Sequence, residues 1–363
     1  DSPTHRRRSG IDPVADRPEA PLEALSESSA RFRRHMKEFD LIASLIPSLP
    51  TNDSVVCGAG DDCAVLDPGA PQSQSLLKVD AVVEGIHFLP DTDPTRVGHK
   101  ALGRCLSDIA AMGGLPKAAL VTLGLRRDFD PERIRRLYEG MGRLATRHQV
   151  AIVGGETTTS PERFWVNVTV LGSIPRGKAI LRSGGRDGDA VFVTGELGGS
   201  LAGKHLDFEP RLEQGRWLAE SGRVHAMLDI SDGLAGDLGH LLAASGGLGA
   251  ELMATSLPLS RAAIARSREV PGARPPRAAA LMDGEDFELL FTTSSKDAVP
   301  MLDAWRNRFP DLRLTCIGRL TREPGIRLRT EQGLQVVPPR AYDRPRTPRP
   351  SVSGLPASSP RAA

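Results

Sequence analysis

Apolar residues recur along the chain at two spacings, and segments with each spacing alternate. Over residues 97–112 the apolar positions fall on one stripe at about 100° per residue, which predicts an amphipathic helix. Over residues 164–171 apolar and polar positions alternate, which predicts a half-buried strand. The same patterns predict helices at residues 38–46, 131–148 and 302–309, and strands at 75–83, 118–125, 151–153, 190–193, 225–230 and 287–293.

This order of strands and helices predicts an α/β (α+β) fold with two domains. A chain of 363 residues is long for one domain and ordinary for two. We expect an N-terminal domain over residues 36–173 and a C-terminal α/β domain over residues 174–343. Residues 1–35 and the basic tail 344–363 are rich in Pro, Ser and Arg, and we expect both to be disordered.

Composition narrows the class of protein. No apolar run reaches the roughly 18 residues that span a bilayer, so we expect no membrane partner. The net charge of +2 comes from a tail with four arginines and no acid, and aromatics make up only 4%, so we expect no nucleic-acid partner. The four cysteines show no CxxC pairing, which favours reduced thiols and a cytoplasmic location over a disulfide or zinc framework.

A glycine-rich turn at residues 58–62 places two adjacent carboxylates, Asp61 and Asp62, directly before the apolar residues 63–66. Adjacent acids beside an apolar run are costly to bury unless a cation compensates them. Five further carboxylates lie at the edges of apolar segments: Asp80, Asp108, Glu156, Asp229 and Asp232. Repeated carboxylates at strand ends, with glycines that let a ligand approach the backbone, predict a hard-cation site that holds phosphates.

Asp108 falls on the edge of the apolar stripe of the predicted helix, so we expect its carboxylate to be at least partly buried. An acid that faces solvent would lie on the other face, with Lys100, Arg104 and Ser107. A buried carboxylate needs a cation or hydrogen-bond donors. Asp108 is therefore either a metal ligand or the partner of Arg104, one helical turn away.

Three other segments allow both a structural and a functional interpretation. Ser231 or Asp232 is expected to cap the following helix, whereas capping does not explain Asp229, which interrupts an apolar strand. The glycine-rich loop at residues 195–203 fits a phosphate cradle at a helix N-terminus or a tight strand-to-helix turn. Glu156 is either a metal ligand or a loop acid paired with an arginine.

Several motifs together resemble the thiamine-monophosphate kinase family, in the superfamily of aminoimidazole ribonucleotide synthetase, selenophosphate synthetase and HypE. The resemblance covers residues 36–343, and the order and spacing of the motifs make it specific. The motifs are the paired acids at 61–62, Asp80 with VEGIHF at 83–88, LSDIAAMG at 106–113, DISDGL at 229–234 and GEDFELLF at 284–291.

The resemblance implies transfer of the γ-phosphoryl group of ATP to thiamine monophosphate, with several Mg²⁺ ions, to give thiamine diphosphate and ADP. It also implies the two-domain fold of aminoimidazole ribonucleotide synthetase and a homodimer formed through the N-terminal sheets. The matching positions are Asp62, Asp80, Asp108, Glu156, Asp229 and Asp232 for metal, Gly155, Arg182 and Ser231 for nucleotide, and His87, Glu285 and Tyr342 for thiamine monophosphate.

Two positions depart from the family pattern. Lys78 and Val79 stand where the family has two hydroxyl residues, so one side-chain oxygen contact to metal is lost, and Lys78 could replace the charge of one cation. Glu156 replaces the usual aspartate, as in the aminoimidazole ribonucleotide synthetase branch. Two alternatives therefore stand beside the kinase: a related ATP-dependent enzyme with another acceptor, and a nucleotide-binding paralogue with a weakened site.

Overall fold

The structure is a computed structural model that describes residues 38–338. It begins with helix α1 (Glu38–Leu45), followed by a 3-10 turn over Ile46–Ser48, and this confirms the helix predicted at residues 38–46. The compact unit that contains this helix ends at Thr51, and the two sheets belong to the other unit.

The first sheet has six strands in the order β1-β2-β3-β6-β4-β5. Only β4 and β5 pair in parallel, and the other neighbours are antiparallel. Helices α2 and α3 connect strands of this sheet. The elements in chain order are β1 (Val55–Cys57), β2 (Ala64–Leu66), β3 (Ser73–Val83), α2 (Pro94–Ala111), β4 (Leu115–Leu125), α3 (Pro131–Arg147), β5 (Ala151–Thr159) and β6 (Trp165–Pro175).

The second sheet has seven strands in the order β13-β12-β9-β11-β7-β10-β8, and only β12 and β9 pair in parallel. Helices and 3-10 turns connect these strands. The elements are β7 (Ala190–Thr194), α4 (Lys204–Asp207), α5 (Leu212–Ser221), β8 (Val224–Asp229), α6 (Leu234–Ala244), β9 (Gly249–Met253), α7 (Arg261–Glu269), α8 (Pro276–Met282), β10 (Leu289–Thr293), α9 (Ala298–Arg308), β11 (Leu314–Thr321), β12 (Gly325–Thr330) and β13 (Gly333–Val337).

The two faces of the first sheet differ in burial. Because side chains alternate along a strand, Leu76 points into the core and its neighbour Leu77 points outward, where it is 40% exposed. Leu77 pairs with Leu171, and Val79 lies on the same face two residues further along. Lys78 therefore points inward, toward α2.

Helix α2 confirms the predicted stripe but is buried on its polar side as well. Its N-cap is Asp93, whose carboxylate accepts from the backbone N–H of Thr95. Lys100 and Ser107, placed by the sequence pattern on a solvent face, are 0% and 1% exposed. The expected solvent face is wrong because α4, α5 and β8 pack against this helix.

One continuous core links the two sheets. It runs from the inner face of the first sheet through α2 to one face of the second, where Phe192 of β7 stacks on Phe291 of β10 at 5.3 Å. A second core on the opposite face of that sheet contains Val191 and Leu290. Strands β7 and β10 are thus buried on both faces, which explains why they are apolar without alternation.

The predicted domain boundary at residues 173 and 174 stays a prediction. The disorder expected over residues 1–35 and 344–363 lies outside the described residues. Cys57, Cys63, Cys105 and Cys316 are free thiols. Among the described residues, the helices are too short or too polar to cross a bilayer.

Candidate active site

Three carboxylates meet where the two sheets join. Asp62 lies in the turn before β2, Asp108 lies in the last turn of α2, and Asp229 is the last residue of β8. One carboxylate oxygen from each residue lies within 4.8 Å of the other two. All three residues are buried, with exposures of 2%, 6% and 4% in that order. We call these three residues the acidic cluster.

A hydrogen bond joins the two sheet regions inside the acidic cluster. The Ser107 hydroxyl of α2 donates to Asp229 Oδ2 of β8 at 2.5 Å. Burial, reinforced by the charge of Asp62, raises the pKa of Asp229 to about 7. The three carboxylates are therefore costly to keep ionised together without positive charge beside them.

Arg182 supplies part of the missing positive charge. Its guanidinium donates to Asp62 Oδ1 from Nη2 at 2.5 Å and from Nε at 3.2 Å. The backbone N–H of Arg182 also donates to the carboxylate of Asp61, at 3.1 Å. Asp62 Oδ2 is buried without a hydrogen-bond partner among the described residues. An orphaned buried oxygen beside two further carboxylates fits a bound divalent cation.

Lys78 provides a second positive charge at the acidic cluster. Its Nζ lies 2.9 Å from Asp108 Oδ1 and 4.0 Å from Asp80 Oδ2. Burial opposes the charged form, but Asp108 and Asp80 outweigh it and raise the pKa of Lys78. The alternative partner predicted for Asp108 is wrong, since Arg104 instead reaches Asp80, at 3.5 Å. Sequence reasoning missed this pairing because it joins a helix to a strand.

The segment after β8 differs from its prediction. Helix α6 begins after Gly233, which has a φ of 102° and serves as N-cap without a side-chain hydrogen bond. Capping by Ser231 or Asp232 is therefore wrong. The backbone N–H of Asp232 donates to Asp237 Oδ2 at 3.0 Å, and the Ser231 carbonyl accepts from the Glu285 N–H at 2.7 Å. Both side chains lie in the turn that follows Asp229.

Lys100 joins His87 and Glu285, two residues that were predicted to contact thiamine monophosphate. Lys100 Nζ donates to the His87 carbonyl at 2.7 Å and to Glu285 Oε2 at 2.6 Å. Lys100 is fully buried and Glu285 is 3% exposed, so the pair is shielded from water. Glu285 also has a φ of 65°, and such backbone strain in a non-glycine residue is concentrated at functional sites. Lys100 was missed because its helix face was expected to be solvated.

The remaining predicted site residues lie apart from the acidic cluster or outside the described residues. Glu156 is on β5, the exposed edge strand, where its carboxylate accepts from the N–H of Thr157 at 3.1 Å. Gly155 has a φ of 157°, and a Cβ there would lie 1.8 Å from the Val121 carbonyl oxygen, so only glycine fits. Tyr342 lies outside the described residues.

The glycine-rich loop after β7 is a structural turn. The Gly198 N–H donates to Asp286 at 2.9 Å, and the Gly199 N–H donates to Asp283 at 3.2 Å. Carboxylates thus occupy the backbone donors that a phosphate would need. The phosphate-cradle interpretation is wrong for this loop, and the turn interpretation is correct.

The fold and the acidic cluster define a class of protein. Residues 60–174 match the family described as AIR synthase related protein, N-terminal domain. The structure also resembles that of Escherichia coli HypE, a hydrogenase maturation protein, with a TM-score of 0.64. At 21% identity, over 85% of this chain and 99% of that chain, this likeness concerns the fold alone.

Relatives of higher identity narrow the class further. Thiamine-monophosphate kinase of Rhodopirellula baltica is 42% identical over 67% of this chain and 78% of its own length, and that of Bacillus subtilis is 37% identical over 72% and 85%. A solved structure described as AaThiL complexed with AMPPCP and TMP is 31% identical, has a TM-score of 0.71, and covers 85% of this chain and 96% of its own. The chain belongs to the thiamine-monophosphate kinase family.

Proposed function

We propose that this protein transfers the γ-phosphoryl group of ATP to thiamine monophosphate, giving thiamine diphosphate and ADP. The observation that carries the proposal is the buried acidic cluster with Arg182, in a chain that belongs to this kinase family. The relative solved with AMPPCP and TMP supports ATP and thiamine monophosphate as the two substrates.

We infer that the acidic cluster holds Mg²⁺. The donors are oxygens only, one of them is a buried carboxylate oxygen without a partner, and this is the ligand chemistry that Mg²⁺ prefers. Asp62, Asp108 and Asp229 would hold the metal, with Asp80 and Asp232 beside them. Bound Mg²⁺ would offset the charges of the two phosphate groups that must approach each other.

The residues of the chain act by positioning and by charge. Arg182 presents its guanidinium beside Asp62 and is assigned to the nucleotide phosphates, together with Ser231. Gly155 stays a predicted nucleotide contact, because it lies on the edge strand β5, apart from the acidic cluster. A guanidinium suits this role because it forms bidentate contacts with phosphate oxygens. The phosphate of the acceptor is already ionised near neutral pH, so the site needs no strong general base.

Binding of thiamine monophosphate is assigned to His87 and Glu285, and to Tyr342, which lies outside the described residues. Lys100 contacts both of the first two residues and thereby fixes the distance between the loop after β3 and the turn before β10. We infer that Lys100 is a positioning residue, because it is fully buried and acts through these two neighbours.

We propose that the protein forms a homodimer through the outer face of the first sheet. Leu77, Val79, Leu120 and Leu171 lie on this face and are 40% to 54% exposed. An apolar sheet face of this kind is typical of a protein–protein interface. Sedimentation equilibrium of the full chain tests this: a mass twice that of the chain is expected, and a monomer at micromolar concentration would contradict it.

ADP release tests the proposed reaction. The protein is incubated with ATP and Mg²⁺ in the presence of thiamine monophosphate, of unphosphorylated thiamine, or of no acceptor. Release that requires thiamine monophosphate, with thiamine diphosphate as the second product, is expected. ADP release that does not depend on thiamine monophosphate would favour the related enzyme, and ATP binding without release would favour the nucleotide-binding paralogue.

A further inference from the structure

Lys78 places a permanent cation inside the carboxylate site. Side chains alternate between the two faces of a sheet, and the neighbours of Lys78, Leu77 and Val79, both lie on the exposed outer face. The Lys78 side chain therefore points inward. The ammonium lies 2.9 Å from Asp108 and 4.0 Å from Asp80. The Lys78 side chain is only 20% exposed.

An ammonium and a divalent ion compete for the same oxygens. Lys carries three donors and no acceptor, so it cannot ligate a metal and can only occupy a carboxylate that a metal would use. Asp108 Oδ1 is bound to Lys78, whereas Asp62 Oδ2 has no hydrogen-bond partner among the described residues. In the acidic cluster, Lys78 therefore occupies one carboxylate oxygen of Asp108, and Asp62 Oδ2 remains available to a metal ion.

We propose that Lys78 replaces a divalent ion between Asp80 and Asp108, so that the nucleotide-free protein binds one ion fewer than its carboxylates would otherwise hold. The proposal rests on the proposed function, since it specifies the cations of the same site. Lys78 also keeps Asp108 oriented when no metal is bound, because the ion pair restrains that carboxylate.

Counting bound ions in the absence of nucleotide tests the proposal directly. Mn²⁺ replaces Mg²⁺ in the experiment, because free Mn²⁺ is counted by electron paramagnetic resonance. Lys78→Met removes the charge and keeps an unbranched side chain. The matched control is Lys178→Met, which removes the same charge from an exposed lysine in the turn after β6.

The wild type and Lys178→Met are expected to bind equal numbers of Mn²⁺ ions. Lys78→Met is expected to bind one ion more than either of them. An equal number of bound ions in all three proteins would overturn the proposal, whatever the affinity. Because the measurement contains no ATP and no acceptor, an extra ion in Lys78→Met would stand even if the wild type lacked kinase activity.

A folding defect in Lys78→Met is also informative. Circular dichroism with and without Mg²⁺ shows whether a divalent ion restores the fold, as expected if it takes the place of the ammonium. Lys78→Gln, which can still donate to Asp108, repeats the count without the charge. Failure of both variants to fold at any Mg²⁺ concentration would contradict the proposal and leave Lys78 as a structural ion-pair residue.

Discussion

Lys100→Met is expected to lower both the stability of the protein and its binding of thiamine monophosphate. Lys100 is fully buried, and its ammonium contacts Glu285 Oε2 at 2.6 Å and the His87 carbonyl at 2.7 Å. Removing one partner of a buried ion pair leaves an uncompensated charge and costs about 3–5 kcal/mol. We expect the free energy of unfolding to fall by that amount in urea denaturation.

The kinetic effect of the same substitution distinguishes positioning from simple packing. With the link between His87 and Glu285 lost, KM for thiamine monophosphate should rise by about 10- to 100-fold, the range for losing a residue that orients a contacting group. KM for ATP should remain unchanged, because Arg182 and the acidic cluster are untouched.

A double variant gives the control. Lys100→Met with Glu285→Gln leaves no buried charge at the pair, so it should recover more than half of the lost stability without recovering acceptor binding. The reasoning is refuted if Lys100→Met alters both KM values equally, or if the double variant is as unstable as the sum of the single variants.

Three further predictions concern the carboxylates. Asp108→Asn should abolish turnover in a folded protein, because an amide fills the same space without the charge that holds a cation. Full Mg²⁺-dependent activity with an unchanged circular dichroism spectrum would show that Asp108 is not part of the site. If the exposed residue Glu156 completes a metal site, Glu156→Asp should retain activity and Glu156→Ala should lose much of it. The same dependence of rate on Mg²⁺ concentration in Glu156→Ala and the wild type would exclude that role. Lys204 and Arg211, each 2.7 Å from Glu288, outweigh its burial and lower its pKa to about 2. The stability that ionised Glu288 contributes is thus complete above its unfolded pKa near 4.5 and is lost as the pH falls toward 2. Between about pH 6 and about pH 3, the free energy of unfolding in urea should fall by about 2 kcal/mol more in the wild type than in Glu288→Gln. Identical losses in the two proteins would contradict this.

The local pattern predicted the elements because each signal was confined to one strand or helix. The stripe over residues 97–112 located α2 and put Asp108 at its buried edge, where it is 6% exposed. The apolar spacing over residues 131–148 located α3, whose N-cap Asp130 accepts from the Glu132 N–H. These predictions needed no knowledge of what lies opposite.

The errors arose where a second part of the chain decides the outcome. Lys100 and Ser107 look solvated from their helix alone, yet elements about 100 residues later cover them. The partner of Asp108 is Lys78 on β3, and Arg104, one helical turn from Asp108, reaches Asp80 instead. Periodicity carries no information on such contacts.

Backbone geometry explains the other two errors. Gly233 adopts a φ of 102° and takes the N-cap position itself, so Ser231 and Asp232 do not cap α6. The amides of Gly198 and Gly199 are bound by acids located about 85 residues further along the chain. A glycine-rich sequence permits both a phosphate cradle and a turn, and only the position of those carboxylates decides between them.

The most direct measurement of the central claim is ADP release by the full chain with ATP and thiamine monophosphate, with Mg²⁺ present or removed by EDTA. The account predicts release that requires both thiamine monophosphate and Mg²⁺, and that is restored when Mg²⁺ is returned. Release of equal rate without thiamine monophosphate, or with EDTA present throughout, would contradict a phosphoryl transfer supported by the carboxylates of Asp62, Asp108 and Asp229.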